Sequence, residues 1–187
     1  KKNTSHKILG NLNAEYELME GLKFRVNFGL DGFISDGYNF NIIVNDQIRA
    51  SSINSLSRSY NEYYSVLAEY FVSYDKVFND LHKFNFVGGY TTQTFNSDGF
   101  SASKRDFLDE SFDQRFLSVG QTLNGIDGGK SYDALASYFG RATYNYDERY
   151  LVTATFRSDG SSKFAPGNKF WKKVFFWGQS NRRSRTN

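Results

Sequence analysis

The sequence predicts an all-β chain, about six long antiparallel strands of an incomplete transmembrane β-barrel. Three observations predict it. Apolar and polar residues alternate over stretches of about 9–12 residues, longer than the usual strand of about 5–6 and close to the roughly 9–11 that a tilted strand needs to cross a bilayer. Short turns alternate with long polar connections, an asymmetry that membrane barrels have and soluble sandwiches have no reason to show. Tyrosines gather at the predicted strand ends (Tyr16, Tyr60, Tyr63, Tyr64, Tyr90, Tyr144, Tyr146 and Tyr150), where an amphipathic ring suits a membrane–water boundary.

The elements follow in order. Residues 10–18 set Leu12, Ala14, Tyr16 and Leu18 against Asn11, Asn13, Glu15 and Glu17. After Met19-Glu20-Gly21, residues 22–31 set Leu22, Phe24, Val26, Phe28 and Leu30 against Lys23, Arg25, Asn27 and Asp31. A period of two gathers each apolar set on one face, and Gly21 supplies the positive φ of a hairpin turn. The second hairpin joins 62–73 (Tyr64, Val66, Ala68, Tyr70, Val72) to 83–94 (Phe84, Phe86, Tyr90) through Tyr74 to His82. The third joins 135–146 (Tyr138, Ala142, Tyr144, Tyr146) to 150–157 (Tyr150, Val152, Ala154, Phe156) through Asp147-Glu148-Arg149. Segments 34–60 and 96–132 read as long polar loops, with a short amphipathic helix over 103–117. Mid-strand Arg25, Glu69 and Arg141 all lie opposite the apolar rows, the side that a wet lumen hydrates. Facing lipid at the midplane, an Arg costs roughly 2–4 kcal/mol. Six strands alone leave two edges with unpaired backbone groups, so the chain is expected to be a fragment of a larger barrel.

Composition agrees. Of 187 residues, 39% are hydrophobic and 18% aromatic, with 19 Phe and 13 Tyr against 2 Trp; mean hydropathy is −0.59. No apolar run reaches the length of a membrane helix. With no cysteine, disulfides, thiolate metal sites and a catalytic thiol are excluded from these residues. No signal peptide is recognisable at Lys1-Lys2-Asn3-Thr4, so the start of an exported protein is expected upstream. The net charge of +3 comes from the end of the chain, where Lys169, Lys172, Lys173, Arg182, Arg183 and Arg185 occur without an acid. Nucleic acid is therefore not expected as a partner.

Residues 136–169 read ASYFGRATYNYDERYLVTATFRSDGSSKFAPGNK. This stretch resembles the SusC/RagA family of TonB-linked outer-membrane proteins: an SYFGR box (Ser137, Tyr138, Phe139, Gly140, Arg141), a Tyr-rich strand, a D-x-x-Y-L turn (Asp147 to Leu151), a T-A-T strand (Thr153 to Thr155), and an R-x-D-G-S-S-x-F box (Arg157, Asp159, Gly160, Ser161, Ser162, Phe164). The segments 60–75 and 83–93 agree more loosely, so the resemblance covers 1–170. It implies a larger barrel of about 22 strands closed around a plug, placed in the bacterial outer membrane. It further implies a SusD-like surface lipoprotein and the TonB complex as partners, the latter through a plug region outside these residues, and import of oligosaccharides or peptides. No cofactor is implied, and the motif residues read as architectural. The match ends at Asn168. Residues 171–187 (WKKVFFWGQSNRRSRTN) lose the alternation and gain basic charge, and are read as an atypical tail from a frameshifted or truncated gene, or as a basic tail for anionic surfaces.

No enzyme site emerges. His6 and His82 lack metal-ligand spacing. Asp98, Asp106, Asp109, Glu110 and Asp113 share one loop and read as solvated acids, with a cation or sugar site as the sharper alternative. Asp127-Gly128-Gly129 reads as a turn, and Gly88-Gly89 lacks the context of a phosphate-binding loop. Phe100, Phe107, Phe112 and Phe116 are suited to stacking on sugars, packing their loop, or touching a partner. A soluble β-sandwich binding glycan through such loop aromatics and a non-functional gene remnant stand as alternatives.

Overall fold

The structure, a computed structural model, describes residues 1–44, 53–165 and 170–180. Seven strands form one sheet in sequence order: β1 (Lys2–Met19), β2 (Leu22–Asn41), β3 (Ser55–Phe78), β4 (His82–Arg105), β5 (Thr122–Tyr146), β6 (Tyr150–Ser161) and β7 (Phe170–Ser180). A purely nearest-neighbour meander is what a chain of hairpins gives. A sandwich needs two sheets, and the described residues form a single one, so the soluble-sandwich alternative is set aside.

The strands are far longer than expected, 24 residues in β3 and β4 and 25 in β5. Most of the segments 34–60 and 96–132 is therefore strand, not loop. The turn expected at Asp127-Gly128-Gly129 lies inside β5. The helix expected over 103–117 reduces to one 3-10 turn, Phe112–Gln114, because residues 103–105 belong to β4. Of the tyrosines expected at strand ends, Tyr60, Tyr63, Tyr64 and Tyr90 sit inside β3 and β4. The connector expected from Tyr74 to His82 shrinks to Asn79-Asp80-Leu81.

Turn chemistry explains the three tight hairpins. Gly21 takes φ +81, and Asn79-Asp80 and Asp147-Glu148 are both left-handed at φ 50–56. Two consecutive positive φ values match the right-handed twist of the paired strands, and Asn and Asp tolerate that region. Leu81 N donates to Phe78 O at 3.3 Å and Arg149 N to Tyr146 O at 2.9 Å, closing two of the turns. Neighbouring hairpins are tied as well: Asp75 N donates to Gly21 O and Asp147 N to Leu81 O, at 2.9 and 2.8 Å.

The chain divides into two units. One comprises Lys1–Leu9, Asp31–Ser65 and Phe95–Tyr132; the other comprises Gly10–Leu30, Val66–Thr94 and Asp133–Asn187. The second holds the tight turns and the first the long connections. The register is continuous from Tyr146↔Tyr150 to Leu135↔Ser161 between β5 and β6, and from Tyr150↔Ser180 to Gly160↔Phe170 between β6 and β7. Residues 171–180, read from sequence as outside the barrel pattern, thus lie in a strand. That strand places large apolar residues on both faces, with Phe175 and Trp177 alternating with Val174 and Phe176. Residues 181–187 lie outside the described residues.

Candidate functional site

In the unit of tight turns the alternating sequence becomes two chemically opposite faces. One is apolar and exposed: Leu12, Tyr16, Leu18, Phe28, Leu30, Val66, Val72, Tyr138, Tyr144, Val152 and Phe156 are between 36% and 69% accessible. A face of this extent is the signature of a surface meant for lipid or a partner. Across it runs a row of rings, Phe28–Tyr70–Tyr90–Tyr138–Phe170, with successive centroids 6.1, 6.3, 4.7 and 6.2 Å apart. A second aromatic group lies by the turns: Tyr74 against Phe84, His82 against Tyr144 and Tyr146, and Tyr146 against Tyr150. The phenol of Tyr144 hydrogen-bonds His82 Nδ1 at 2.6 Å. From Tyr138 to Tyr146 is eight residues of strand, roughly 26 Å at about 3.3 Å per residue. Tilted by about 40°, that projects to roughly 20 Å, most of the apolar band of an outer-membrane barrel, about 25 Å tall.

The opposite face of this unit is polar. Glu15 accepts from Arg25 Nε and Nη2 at 2.8 and 2.5 Å, and Lys23 approaches Glu15 at 3.8 Å. Asn27 donates to Glu69 at 2.8 Å. With Asn11, Asn13 and Phe71 these residues line a groove of about 470 Å³. Arg25 and Glu69 therefore sit where the alternation placed them.

The motif boxes meet across β5 and β6. Ser137 is the register partner of Asp159, Phe139 of Arg157, and Gly140 of Phe156. Ser137 Oγ donates to Asp159 Oδ1 at 2.6 Å, and Arg157 Nε donates to the same carboxylate at 2.8–2.9 Å. Phe139 packs on Phe71, with centroids 5.7 Å apart, and its ring occupies the space that a Cβ on Gly89 would need. Gly160 lies under the ring of Phe170, which leaves no room for a Cβ. Beyond it, Ala134 N donates to Ser162 Oγ and Ser162 N to Ala134 O, while Phe164 N donates to Ser161 O. Phe164 itself stays exposed.

In the other unit, residues 106–121 fold back over the strands. The fold-back creates the buried apolar core of the described residues, Leu56 and Phe107, at 1% and 5% exposure. Asn54, also buried, clasps it: its Nδ2 donates to Phe107 O at 2.8 Å, and its Oδ1 accepts from Phe107 N at 2.7 Å. Glu110 accepts from Asn54 Nδ2 and from Ile43 N. Lys104 Nζ donates to Gly120 O. The five acids do not share one loop: Asp98 lies in β4 and pairs with Lys130, Asp106 pairs with Arg105, and Asp109 accepts from Ser111 N, which holds its carboxyl below the ordinary carboxylate range. No metal-binding group of three ligands occurs among the described residues. The loop aromatics divide: Phe107 packs edge-on to Phe40, Phe100 stacks on Tyr60, and Phe112 and Phe116 stay exposed.

Those two rings line a groove of about 710 Å³ together with Lys2, Thr4, Asp36, Tyr38, Phe40, Arg58 and Arg115. The Arg115 guanidinium lies 4.6 Å over Phe40 and 6.0 Å from Phe112, and Arg58 lies 5.6 Å over Tyr38. Sequence reasoning picked out Phe112 and Phe116 but not Asn54, Arg58 or Arg115. Their partners are up to 77 residues away, and no local spacing announces them.

A continuous antiparallel meander, with one exposed apolar face, aromatic rows and a polar face opposite, defines a segment of a membrane β-barrel wall. No protein-family model matches the chain. It is 30% identical over 162 residues to the TonB-dependent receptor P3 of Formosa agariphila, covering 86% of this chain and 16% of that protein. It is 26% identical over 175 residues to the TonB-dependent receptor SusC of Bacteroides thetaiotaomicron, covering 90% and 16%. Among solved structures, the RagAB peptide transporter superposes with a TM-score of 0.84 at 20% identity, over 94% of this chain and 20% of that one. The chain is similar to TonB-dependent receptors, SusC among them, and shares the fold of a segment of the RagAB β-barrel. It spans about a sixth of the length of the curated relatives it matches.

Proposed function

We propose that this chain forms part of the wall of an outer-membrane importer of oligosaccharides or peptides, energised through TonB and served by a SusD-like surface lipoprotein. In this reading it is not an enzyme, it transports only within the complete barrel, and the residues of the SYFGR and R-x-D-G-S-S-x-F boxes hold β5 and β6 in register. The observation that carries the reading is the opposition of the two faces around Phe28, Tyr70, Tyr90 and Tyr138 on one side and Glu15, Arg25, Asn27 and Glu69 on the other. In lipid every backbone polar group needs a partner, which a closed sheet supplies, and charge is tolerated on the lumen side. The relatives' names support the receptor class.

These residues contain no cysteine, so single substitutions give unique labels once any cysteine elsewhere in the receptor has been replaced. In the intact receptor in outer-membrane vesicles, Phe28→Cys should react with a lipid-soluble maleimide and resist a charged one, while Asn27→Cys should react with the charged one. Equal reaction of both with the charged reagent refutes the membrane placement.

Residues 171–187 are proposed to depart from the native barrel sequence through a frame change after the motif. Apolar side chains on both faces of β7 support this. Translation of the gene in its other two frames should yield a strand of alternating pattern after Lys169; its absence removes the proposal.

A further inference from the structure

We propose that the groove beneath residues 106–121 is a binding site for an acidic oligosaccharide, a uronate seated with its carboxylate on Arg115 and its ring face on Phe112 or Phe116. This assigns a ligand class to the importer reading above and rests on it.

The groove is built rather than incidental. Buried Asn54 holds both backbone groups of Phe107 and, through Glu110, also the backbone of Ile43. The segment is thus fixed at one end, and Lys104 fixes the other at Gly120. A loop pinned this firmly, and already packing Phe107 to 5% exposure, nevertheless leaves Phe112 at 83% and Phe116 at 60%. Two flat rings set beside a guanidinium and polar groups form the kind of apolar surface with a polar rim that suits a ligand.

The charges are arranged unequally. Arg58 is bound to both oxygens of Asp36, at 3.1 and 3.2 Å. Arg115 gives its Nε to the carbonyl oxygen of Glu110 at 2.8 Å, a neutral acceptor that leaves its charge uncompensated. Its plane is placed by Phe40 and Phe112. A guanidinium fixed over rings offers a preset fork of donors to a carboxylate. Lys1 and Lys2 add further positive charge in the lining, and Tyr38, Thr4 and Asp36 supply polar groups for hydroxyls. The volume of about 710 Å³ is in the range of small-ligand sites, about 300–1,000 Å³. A pyranose needs only flat rings, a cation and scattered polar groups, which are what the groove presents.

The test uses the intact receptor carrying this segment, with Gln114→Cys, exposed between the two rings and not itself lining the groove, as a reporter of occupancy. Trigalacturonate should slow maleimide labelling of that cysteine at least fivefold. Its methyl ester, the same sugar without the charge, should slow it less than twofold. Adding Arg115→Gln should abolish the protection, and Arg115→Lys, which keeps the charge but not the fork, should retain part of it. Loss of protection in both variants with 106–121 newly open to protease would mark a collapsed loop; Lys2→Gln, outside that loop, then decides, weakening protection if the charge reading holds and leaving it intact if it fails. Absence of protection, equal protection by the ester, or protection by anionic phospholipid vesicles alone overturns the assignment. Fractionation separates the two levels: protein in the outer membrane but unprotected refutes only this inference, whereas protein absent from that membrane refutes the importer reading beneath it.

Discussion

Truncating Asn54 to Ala should open residues 106–121 without unfolding the sheet. Asn54 is 2% exposed and Phe107 5%, so water does not replace what the side chain provides. Removing it strips Phe107 of a 2.7 Å bond to its N–H and a 2.8 Å bond to its C=O. Each backbone group left unpaired in a buried place costs about 1–3 kcal/mol, or roughly 2–6 kcal/mol for the two. Glu110 keeps Ile43 N but loses its second donor. At about 3 kcal/mol, the loop should open roughly 100 times more often. Amide hydrogen exchange of the intact receptor, read on peptides covering 106–121, reports this directly. Peptides from 82–94 and 135–146 serve as internal controls. If the loop exchanges within threefold of the native rate, or if the control strands accelerate equally, the clasp does not act as described.

Three further outcomes follow from single contacts. Gly21→Ala puts a Cβ on a residue at φ +81, in collision with Asp75 O; it should cost at least about 2 kcal/mol and lower the urea midpoint of folding into vesicles. Gly160→Ala forces the Phe170 ring away and should cost about 1–3 kcal/mol through overpacking, with Phe170→Ala in the same chain restoring most of the loss. Asp109 has its carboxyl held low by the Ser111 N–H. Its contribution is therefore complete above the ordinary carboxylate range and disappears as the pH falls through the lowered value. The protection of the Ser111 amide, measured against its intrinsic exchange rate at each pH, should fall on acidification, and Asp109→Asn should flatten that dependence.

How much of this was legible depends on whether a residue answers to a local pattern. Residues 22–31 alternate strictly because one side meets an apolar environment and the other a wet one, and β2 follows. Gly21, Asn79-Asp80 and Asp147-Glu148 announce their turns through the same backbone preference that the structure uses. Strand length escaped because residues such as Asn96, Ser97 and Asp98 pair through their backbones while neither face requires an apolar side chain, and period-two reading then finds nothing. Asp127-Gly128-Gly129 carries turn chemistry, yet lies paired in β5. The groove was illegible for another reason. Asn54 meets Phe107 at a separation of 53 residues, a contact that only tertiary structure creates. The motif boxes were found by resemblance, and their geometry explains the spacing: Ser137 and Asp159 are far apart in sequence but are register partners.

Both tryptophans of the chain, Trp171 and Trp177, stand on β7, opposite Asp159 and Thr153 of β6. Within these residues, intrinsic tryptophan emission is therefore a local instrument. It registers whether the last seam of the sheet has zipped, and it is blind to whatever happens at β1 and β2. A refolding trace followed by that signal dates the arrival of β7 alone, and the tyrosines, spread over β1 to β6, have to time the rest.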